Sequence, residues 1–158
     1  MRVLIGCEES QEVCKAFRQR GHEAYSCDLL DCSGGHPEWH IKADVFHVLK
    51  SQWDLIILHP PCTALAGNRW YGKGMIKNSE RLTAQKWTYE LWEHAKKNSM
   101  KVVLENPVGV LNKLLGNPSY VQPWQFGHAE SKKTGFWLHG VKPLKETENV
   151  FEEFRVLP

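Results

Sequence analysis

A run of four aliphatic residues, 55–58, constrains the fold of this chain more than any other feature. Such a run after Asp54 predicts a short strand buried on both faces, as in parallel sheets that carry helices on each side. Because prolines cannot donate to a sheet ladder, Pro60 and Pro61 end this strand. Cys62 is therefore expected at a strand's carboxyl end, either as a nucleophile in a ligand site or as a buried structural thiol.

Similar short apolar runs alternate with amphipathic segments along the rest of the chain, which favours an α/β fold. Strands are expected at 2–6, 23–27, 101–104 and 134–139, and helices at 10–20, 45–49, 80–97 and 108–115. Ser10 and Ser79 are the expected N-caps of the first and third of these helices. The chain of 158 residues is too short for a TIM barrel, which needs about 250. We expect one domain over residues 1–158, a doubly wound and mostly parallel Rossmann-like sheet.

The composition indicates the cellular compartment but does not identify a binding partner. The net charge of +2 and the pI near 8.3 are too mild to argue for a nucleic acid. Five irregularly spaced cysteines, without a secretory signal pattern, favour a reducing cytoplasm. No apolar run approaches the ~20 residues that span a bilayer, so no membrane partner is expected.

Polar and acidic residues follow several of the predicted strands. Asp28 lies 22 residues after Gly6, which is where nucleotide-binding α/β domains place a carboxylate for ribose hydroxyls. Capping of a turn is the alternative role for Asp28. Asp44 offers a second exposed acid, and Glu105 ends the strand that follows Cys62. Parallel strands would bring Cys62 and Glu105 to the same edge of the sheet.

Two further segments are candidate sites. The polar and aromatic segment 63–79 is either a lid that contacts substrate or an ordinary mobile loop. Segment 29–42 is expected to be a loop, and its His and Cys spacing matches no zinc pattern, so no metal is expected. Trp87 and Trp92, on the long helix, are expected in the core.

Pro60-Pro61-Cys62 after a buried strand, and Glu105-Asn106 after the next, resemble motifs of the DNA cytosine-5 methyltransferase family. In length the chain is similar to the small phage-encoded members. The resemblance implies the Rossmann-like fold of S-adenosylmethionine-dependent methyltransferases, with S-adenosylmethionine as cofactor. It also implies that Cys62 attacks C6 of cytosine, and that Glu105 contacts N3 and the exocyclic amine.

The same resemblance assigns binding residues. The loop after the first strand, the acids Asp28 and Asp44, and the start of the Pro-Pro turn would contact the cofactor. These residues are Ile5, Gly6, Cys7, Glu8, Asp28, Leu29, Asp44, Val45, His59 and Pro60. A later basic motif, similar in position to segment 130–134, would help to hold the substrate. The implied substrate contacts are Pro61, Thr63, Arg69, Asn106, Pro107, Ser131, Lys132 and Lys133.

The chemistry of these side chains agrees with that assignment. Cytosine C5 is a weak nucleophile, and a thiolate that adds at C6 makes C5 able to accept a methyl group. Hydrogen bonding or proton donation at N3, which a glutamate carboxyl in a dry pocket can provide, relieves the negative charge on the ring. A thiol after the proline pair, where amine-directed enzymes place an aromatic residue, favours carbon over nitrogen methylation.

The expected substrate is small, because the family's target-recognition domain and its carboxyl-terminal helix have no counterpart in this sequence. We expect dCMP, with its phosphate held by Arg69, Lys73, Lys77 or Lys132. The first alternative is cytosine in DNA, methylated with little sequence selectivity. The second is an inactive module that binds S-adenosylmethionine or a nucleic acid. We allow for a homodimer, and expect the host cytoplasm if a phage encodes the chain.

Overall fold

A computed structural model describes residues 1–66 and 77–152 of the chain. Its centre is a seven-stranded sheet of order β3-β2-β1-β4-β5-β7-β6. The strands are β1 (Arg2–Gly6), β2 (Glu23–Asp28), β3 (His40–Lys42), β4 (Leu55–Leu58), β5 (Val102–Pro107), β6 (Ser119–Val121) and β7 (Thr134–His139). The helices are α1 (Glu12–Gln19), α2 (Val45–Val48), α3 (Asn78–Asn98) and α4 (Leu111–Leu115). None of the described helices is long and apolar enough to cross a membrane.

Strands β1 to β5 run parallel to one another, whereas β7 pairs antiparallel with both β5 and β6. This confirms the expected α/β architecture with a mostly parallel sheet. The chain places β2 on one side of β1 and β4 on the other, so the strand order reverses between β1 and β4. In open sheets of this kind, ligands bind outside the carboxyl ends of the strands at that reversal.

Both faces of the sheet are covered, as the aliphatic run 55–58 predicts. Val3, Ile5 and Ile57 pack on one face with Cys14 of α1. The opposite face is built from alternate residues of the same strands and from the other helices, including Leu4, Ile56, Leu58, Val48, Leu91 and Leu111. All four residues of β4 are buried. The period of two along β1 and β4 thus supplies one apolar layer to each side.

The expected serine caps are wrong for both helices. The N-cap of α1 is Gln11, in a left-handed conformation, and that of α3 is Lys77; neither side chain makes a capping hydrogen bond. At α1 the buried Glu8 replaces the serine, because its carboxylate accepts hydrogen bonds from the backbone N–H groups of Val13 and Cys14. A cap supplied from outside the helix leaves no local motif to recognise.

The sheet is also longer than expected. β3 and β6 are three-residue strands at the two edges of the sheet. β3 lies within the segment 29–42 that is predicted to be a loop, and β6 lies where the sequence predicts no element. β5 extends to Pro107, beyond the expected end at residue 104, because β7 pairs with it until Thr134 stands opposite Pro107. Glu105 and Asn106 therefore belong to a strand and not to the turn after it.

Candidate functional site

The carboxyl ends of β1, β4 and β5 meet at His59. Its backbone N–H donates to the carbonyl of Gly6 at 2.9 Å. Its side-chain Nδ1 lies 3.0 Å from Glu105 Oε2, and both side chains are about a quarter exposed, at 24% and 23%. The turn that follows β4 is thus connected to its neighbours in the sheet on both sides.

Asn106 of β5 holds the Pro60-Pro61-Cys62 turn through a hydrogen bond. Its Nδ2 donates to the Pro60 carbonyl at 2.8 Å, and the residue is 1% exposed. After the prolines, the Cys62 carbonyl accepts from the backbone N–H groups of Leu65 and Ala66, which form one helical turn. Cys62 itself is exposed. The alternative of a buried structural thiol at this position is therefore wrong.

The backbone after Cys62 is also tied to the segment after β5. Val110 N–H donates to the Leu65 carbonyl at 3.0 Å, and Ala66 forms an isolated antiparallel bridge with Gly109. A Cβ atom on Gly109 would overlap the carbonyl of Leu65, so only glycine fits there. Main-chain contacts therefore hold this part of the turn next to the continuation of β5.

A cavity of about 150 Å³ opens beside the same turn. It is lined by Cys7, Cys27, Asp28, Leu29, Ala43, Asp44, Val45, Pro61 and Trp87. Six of these are residues that the sequence predicted for the site, which the structure thus brings together. Trp87 was expected in the core. It packs partly against the core but also forms a wall of the cavity, and helical periodicity cannot separate the two roles. Trp92 is buried as expected.

The lining of this cavity fits the adenosine part of S-adenosylmethionine. Asp28 and Asp44 each use Oδ1 to accept a backbone N–H two residues ahead, from Leu30 and Phe46. Asp28 does cap a turn, yet its side chain also faces the cavity, and a carboxylate can accept from ribose hydroxyls. The apolar wall suits an adenine ring. Binding pockets commonly exceed about 300 Å³, so the cavity would take only part of the cofactor.

Cys7 in this cavity is not a second nucleophile. Burial raises the pKa of its thiol to about 12, and the negative charge of Asp28 adds to the effect. The thiol is therefore protonated near neutral pH, and the thiolate is the reactive form. Its backbone φ of 62° is a conformation that glycine adopts more easily than other residues.

Two other predicted cofactor residues have structural roles in the fold. Ile5 is fully buried in the sheet core and does not line the cavity. Glu8 is 6% exposed and its carboxylate bonds to the start of α1. Burial raises the pKa of Glu8, and the N–H groups of Val13 and Cys14 partly offset the rise. A contact of either side chain with a cofactor stays a prediction.

The other predicted substrate residues lie in three places along the chain. Ser131, Lys132 and Lys133 are exposed and directly precede β7, whose first residue faces Pro107 at the carboxyl end of β5. They therefore lie near the carboxyl end of β5, as Glu105 does. Thr63 is exposed beside Cys62. Arg69, together with Lys73, lies outside the described residues.

Within residues 1–66 and 77–152, no three His, Cys, Asp or Glu side chains are grouped to hold a metal ion. In the segment considered for zinc, His40 Nδ1 lies 2.9 Å from Ser26 Oγ and His36 Nδ1 3.0 Å from Glu38. A larger cavity of about 560 Å³ lies beside Arg2 and Trp53, at the amino ends of the strands. Ligands of open α/β sheets bind at the carboxyl ends, so we place the site there.

No family model matches the sequence, and no curated protein matches it. Among solved structures, the Dnmt2 methyltransferase of S. pombe is similar, with a TM-score of 0.54 at 14% identity; the match covers 98% of this chain and 54% of that one. TrmN from Thermus thermophilus has a TM-score of 0.52 at 16% identity, over 89% of this chain and 44% of that one. The chain thus spans about half the length of each. Strand order and these similarities show that it has the Rossmann-like fold of S-adenosylmethionine-dependent methyltransferases.

Proposed function

We propose that this chain is an S-adenosylmethionine-dependent methyltransferase that acts on C5 of cytosine, with residues 1–158 as a single catalytic domain. One observation carries the proposal: an exposed Cys62 stands on a turn that Asn106 and His59 tie to the strand carrying Glu105. A nucleophile and a carboxyl at one sheet edge, beside a cavity with two acids, suit this chemistry.

In the proposed reaction the Cys62 thiolate adds to C6 of the base. Glu105 holds N3 and donates a proton there, which relieves the charge that the addition places on the ring. The partial burial of Glu105 strengthens this interaction relative to bulk water. C5 then accepts the methyl group, and a solvent water takes the proton that leaves C5. As the thiolate leaves C6, N3 returns its proton to Glu105, which restores the aromatic ring.

The cofactor would be held by Asp28 on its ribose hydroxyl groups, and by Asp44, Val45 and Trp87 on its adenine. S-adenosylmethionine, when bound, supplies an activated methyl group. The chain's own contribution is to bind and orient it at the crevice between β1 and β4, next to Pro61.

We propose dCMP as the substrate. Every strand and helix of the described residues belongs to the sheet or packs beside it, and a mononucleotide demands little further surface. Lys132 and Lys133 are exposed just before β7, at the same end of the strands as Glu105, and an ammonium group is a common ligand of phosphate. DNA with little sequence selectivity is the alternative substrate, and homodimerisation stays a prediction.

The proposal is tested by methyl transfer from radiolabelled S-adenosylmethionine to dCMP and, separately, to single- and double-stranded oligonucleotides that contain cytosine. We expect labelled dCMP, and none with Cys62→Ser. Cys32→Ser is the matched control, because Cys32 is half-buried and does not line the cavity. Its transfer rate should equal that of the natural chain.

A 5-fluoro-dCMP substrate separates the alternatives. After methyl transfer, its fluorine cannot leave C5 as a proton does, so the Cys62 adduct should persist and be visible by intact-protein mass spectrometry. An adduct only with 5-fluorocytosine in DNA would overturn dCMP as substrate. If S-adenosylmethionine binds but no cytosine substrate gives product or adduct, the inactive binding module would be the correct description.

A further inference from the structure

His59 lies beside the Glu105 carboxylate at the carboxyl end of β4. Its Nδ1 lies 3.0 Å from Glu105 Oε2, and the buried carboxylate of Glu8 is close enough to interact with it electrostatically. The His59 backbone N–H is bound to the Gly6 carbonyl. Backbone and side chain together hold this ring, which leaves it little freedom to turn.

These contacts select one tautomer of the imidazole. A carboxyl oxygen that carries no proton can only accept, so a hydrogen bond from His59 to Glu105 Oε2 places the proton of the pair on Nδ1. Nε2 is buried and has no hydrogen-bond partner among the described residues. If the proton lies on Nδ1, Nε2 is an acceptor that makes no hydrogen bond. If the proton lies on Nε2, a buried N–H group has no acceptor, which proteins tolerate less often.

Glu8 does not compete for this proton. Its Oε1 accepts from Val13 N–H at 2.6 Å and its Oε2 from Cys14 N–H at 3.2 Å. Both oxygens are thus directed at the start of α1. Among the described residues, Glu105 is the carboxylate within hydrogen-bond distance of the His59 ring.

We propose that His59 is a positioning residue that selects which oxygen of Glu105 acts on the base. Its Nδ1–H occupies Oε2, so the proton that Glu105 donates is carried on Oε1. The statement about the base rests on the proposed function; the link between His59 and Glu105 does not. As the Cys62 Sγ–C6 bond forms, the Oε1–H bond breaks, N3–H forms, and the electron pair stays on Oε1. After C5 accepts the methyl group, a solvent water takes the C5 proton, the Sγ–C6 bond breaks with its electron pair returning to sulfur, and N3 returns its proton to Oε1.

The first test reads the tautomer without any methyl transfer. In protein labelled with ¹⁵N-histidine, ring ¹⁵N–¹H correlations of His59 should show the proton on Nδ1 at neutral pH. Glu105→Ala should shift the ring towards the Nε2–H form. Glu93→Ala, which removes a helix carboxylate paired with Lys96, is the control and should change nothing. An Nε2–H ring in the natural chain, or no change in Glu105→Ala, would overturn the proposal.

The second test separates positioning from a purely structural role. His59→Asn keeps an N–H donor near the place of Nδ1, whereas His59→Ala removes it. For dCMP we expect His59→Ala to lower kcat by roughly 10- to 100-fold, since misplacement of a reacting group by about 1 Å costs on the order of 100-fold. KM should stay within about twofold, because the loss is confined to the transition state. His59→Asn should recover a measurable part of kcat.

His94→Ala is the matched control for His59. The Nδ1 of His94 also makes a hydrogen bond, 2.8 Å long, to the Glu90 carbonyl, but on the exposed side of α3. Its kcat should equal that of the natural chain. If His59→Ala keeps the kcat of the natural chain, or if His59→Asn and His59→Ala lose kcat equally, His59 does not position Glu105. If no cytosine substrate reacts with the natural chain, the proposed function fails, and the tautomer measurement still decides the link to Glu105.

Discussion

Asn106 Nδ2 and the Pro60 carbonyl are joined by a hydrogen bond of 2.8 Å that spans 46 residues of sequence. It connects the interior of β5 to a proline pair that has no N–H of its own to donate. The bond is buried, so the Pro60 carbonyl has no access to water that could replace Asn106. The position of Cys62 therefore depends on a residue in the neighbouring strand.

Asn106→Ala should destabilise the protein by about 1–3 kcal/mol, because it leaves the buried Pro60 carbonyl without a partner. Urea unfolding followed by circular dichroism measures this loss. Asn98→Ala is the control, since Asn98 donates to the His94 carbonyl at the exposed end of α3. Equal stability of the two variants would show that the bond contributes little.

Trp87 is predicted to hold the cofactor. Trp87→Ala should weaken the binding of S-adenosylhomocysteine about tenfold, because an aromatic stack contributes about 0.5–1.5 kcal/mol beyond buried area. Isothermal titration calorimetry gives the affinity directly. Tyr89→Ala, on the exposed side of the same helix, should bind as the natural chain does. Unchanged binding in Trp87→Ala would remove this residue from the site.

Glu8 should make stability depend on pH in mild acid. Burial raises its folded pKa above the ordinary value of 4.5, so the folded state holds this proton more tightly than the unfolded state. That stabilisation is complete below pH 4.5 and is lost as pH rises through the folded pKa. This decrease in the free energy of unfolding with rising pH should be absent in Glu8→Gln. It should remain in Glu12→Gln, because the Glu12 side chain is 74% exposed. Urea unfolding across this range measures it, and parallel curves for all three proteins would contradict the prediction.

The five cysteines should differ in reactivity towards iodoacetamide at about pH 8. Cys62 is exposed and should be labelled first, whereas Cys14 and Cys27 are fully buried. Cys7 should stay unlabelled, since its pKa of about 12 keeps the thiol protonated. Peptide mass spectrometry at short reaction times gives the order. Labelling of Cys7 at the rate of Cys62 would show that its thiol is more accessible than the structure indicates.

The strands that form the centre of the sheet were predictable because their residues carry the signal themselves. β1, β2 and β7 lie where short runs that contain aliphatic or aromatic residues predict them. β3 and β6 were not predictable, since each has three residues and exists only because a neighbour offers a free edge. Likewise the extension of β5 to Pro107 depends on pairing with β7, which lies 27 residues further along.

The same division applies to the site. Pro61, Cys62 and Glu105 could be found from short motifs at strand ends. The links among them could not, because hydrogen bonds such as the one between His59 and Glu105 depend on how two distant strands align. Trp87 was missed for a related reason: one helix face supplies both core contacts and a cavity wall, and periodicity gives only the face.

The turn after β4 has a consequence for protein engineering. Its anchors are the Asn106 side chain and main-chain contacts of Leu65, Ala66 and Val110. Thr63, next to the thiol, contributes its exposed side chain to none of them. This position can therefore be randomised in a library that leaves the nucleophile in place. Such a library would be the natural starting point for selecting enzymes that accept other pyrimidines.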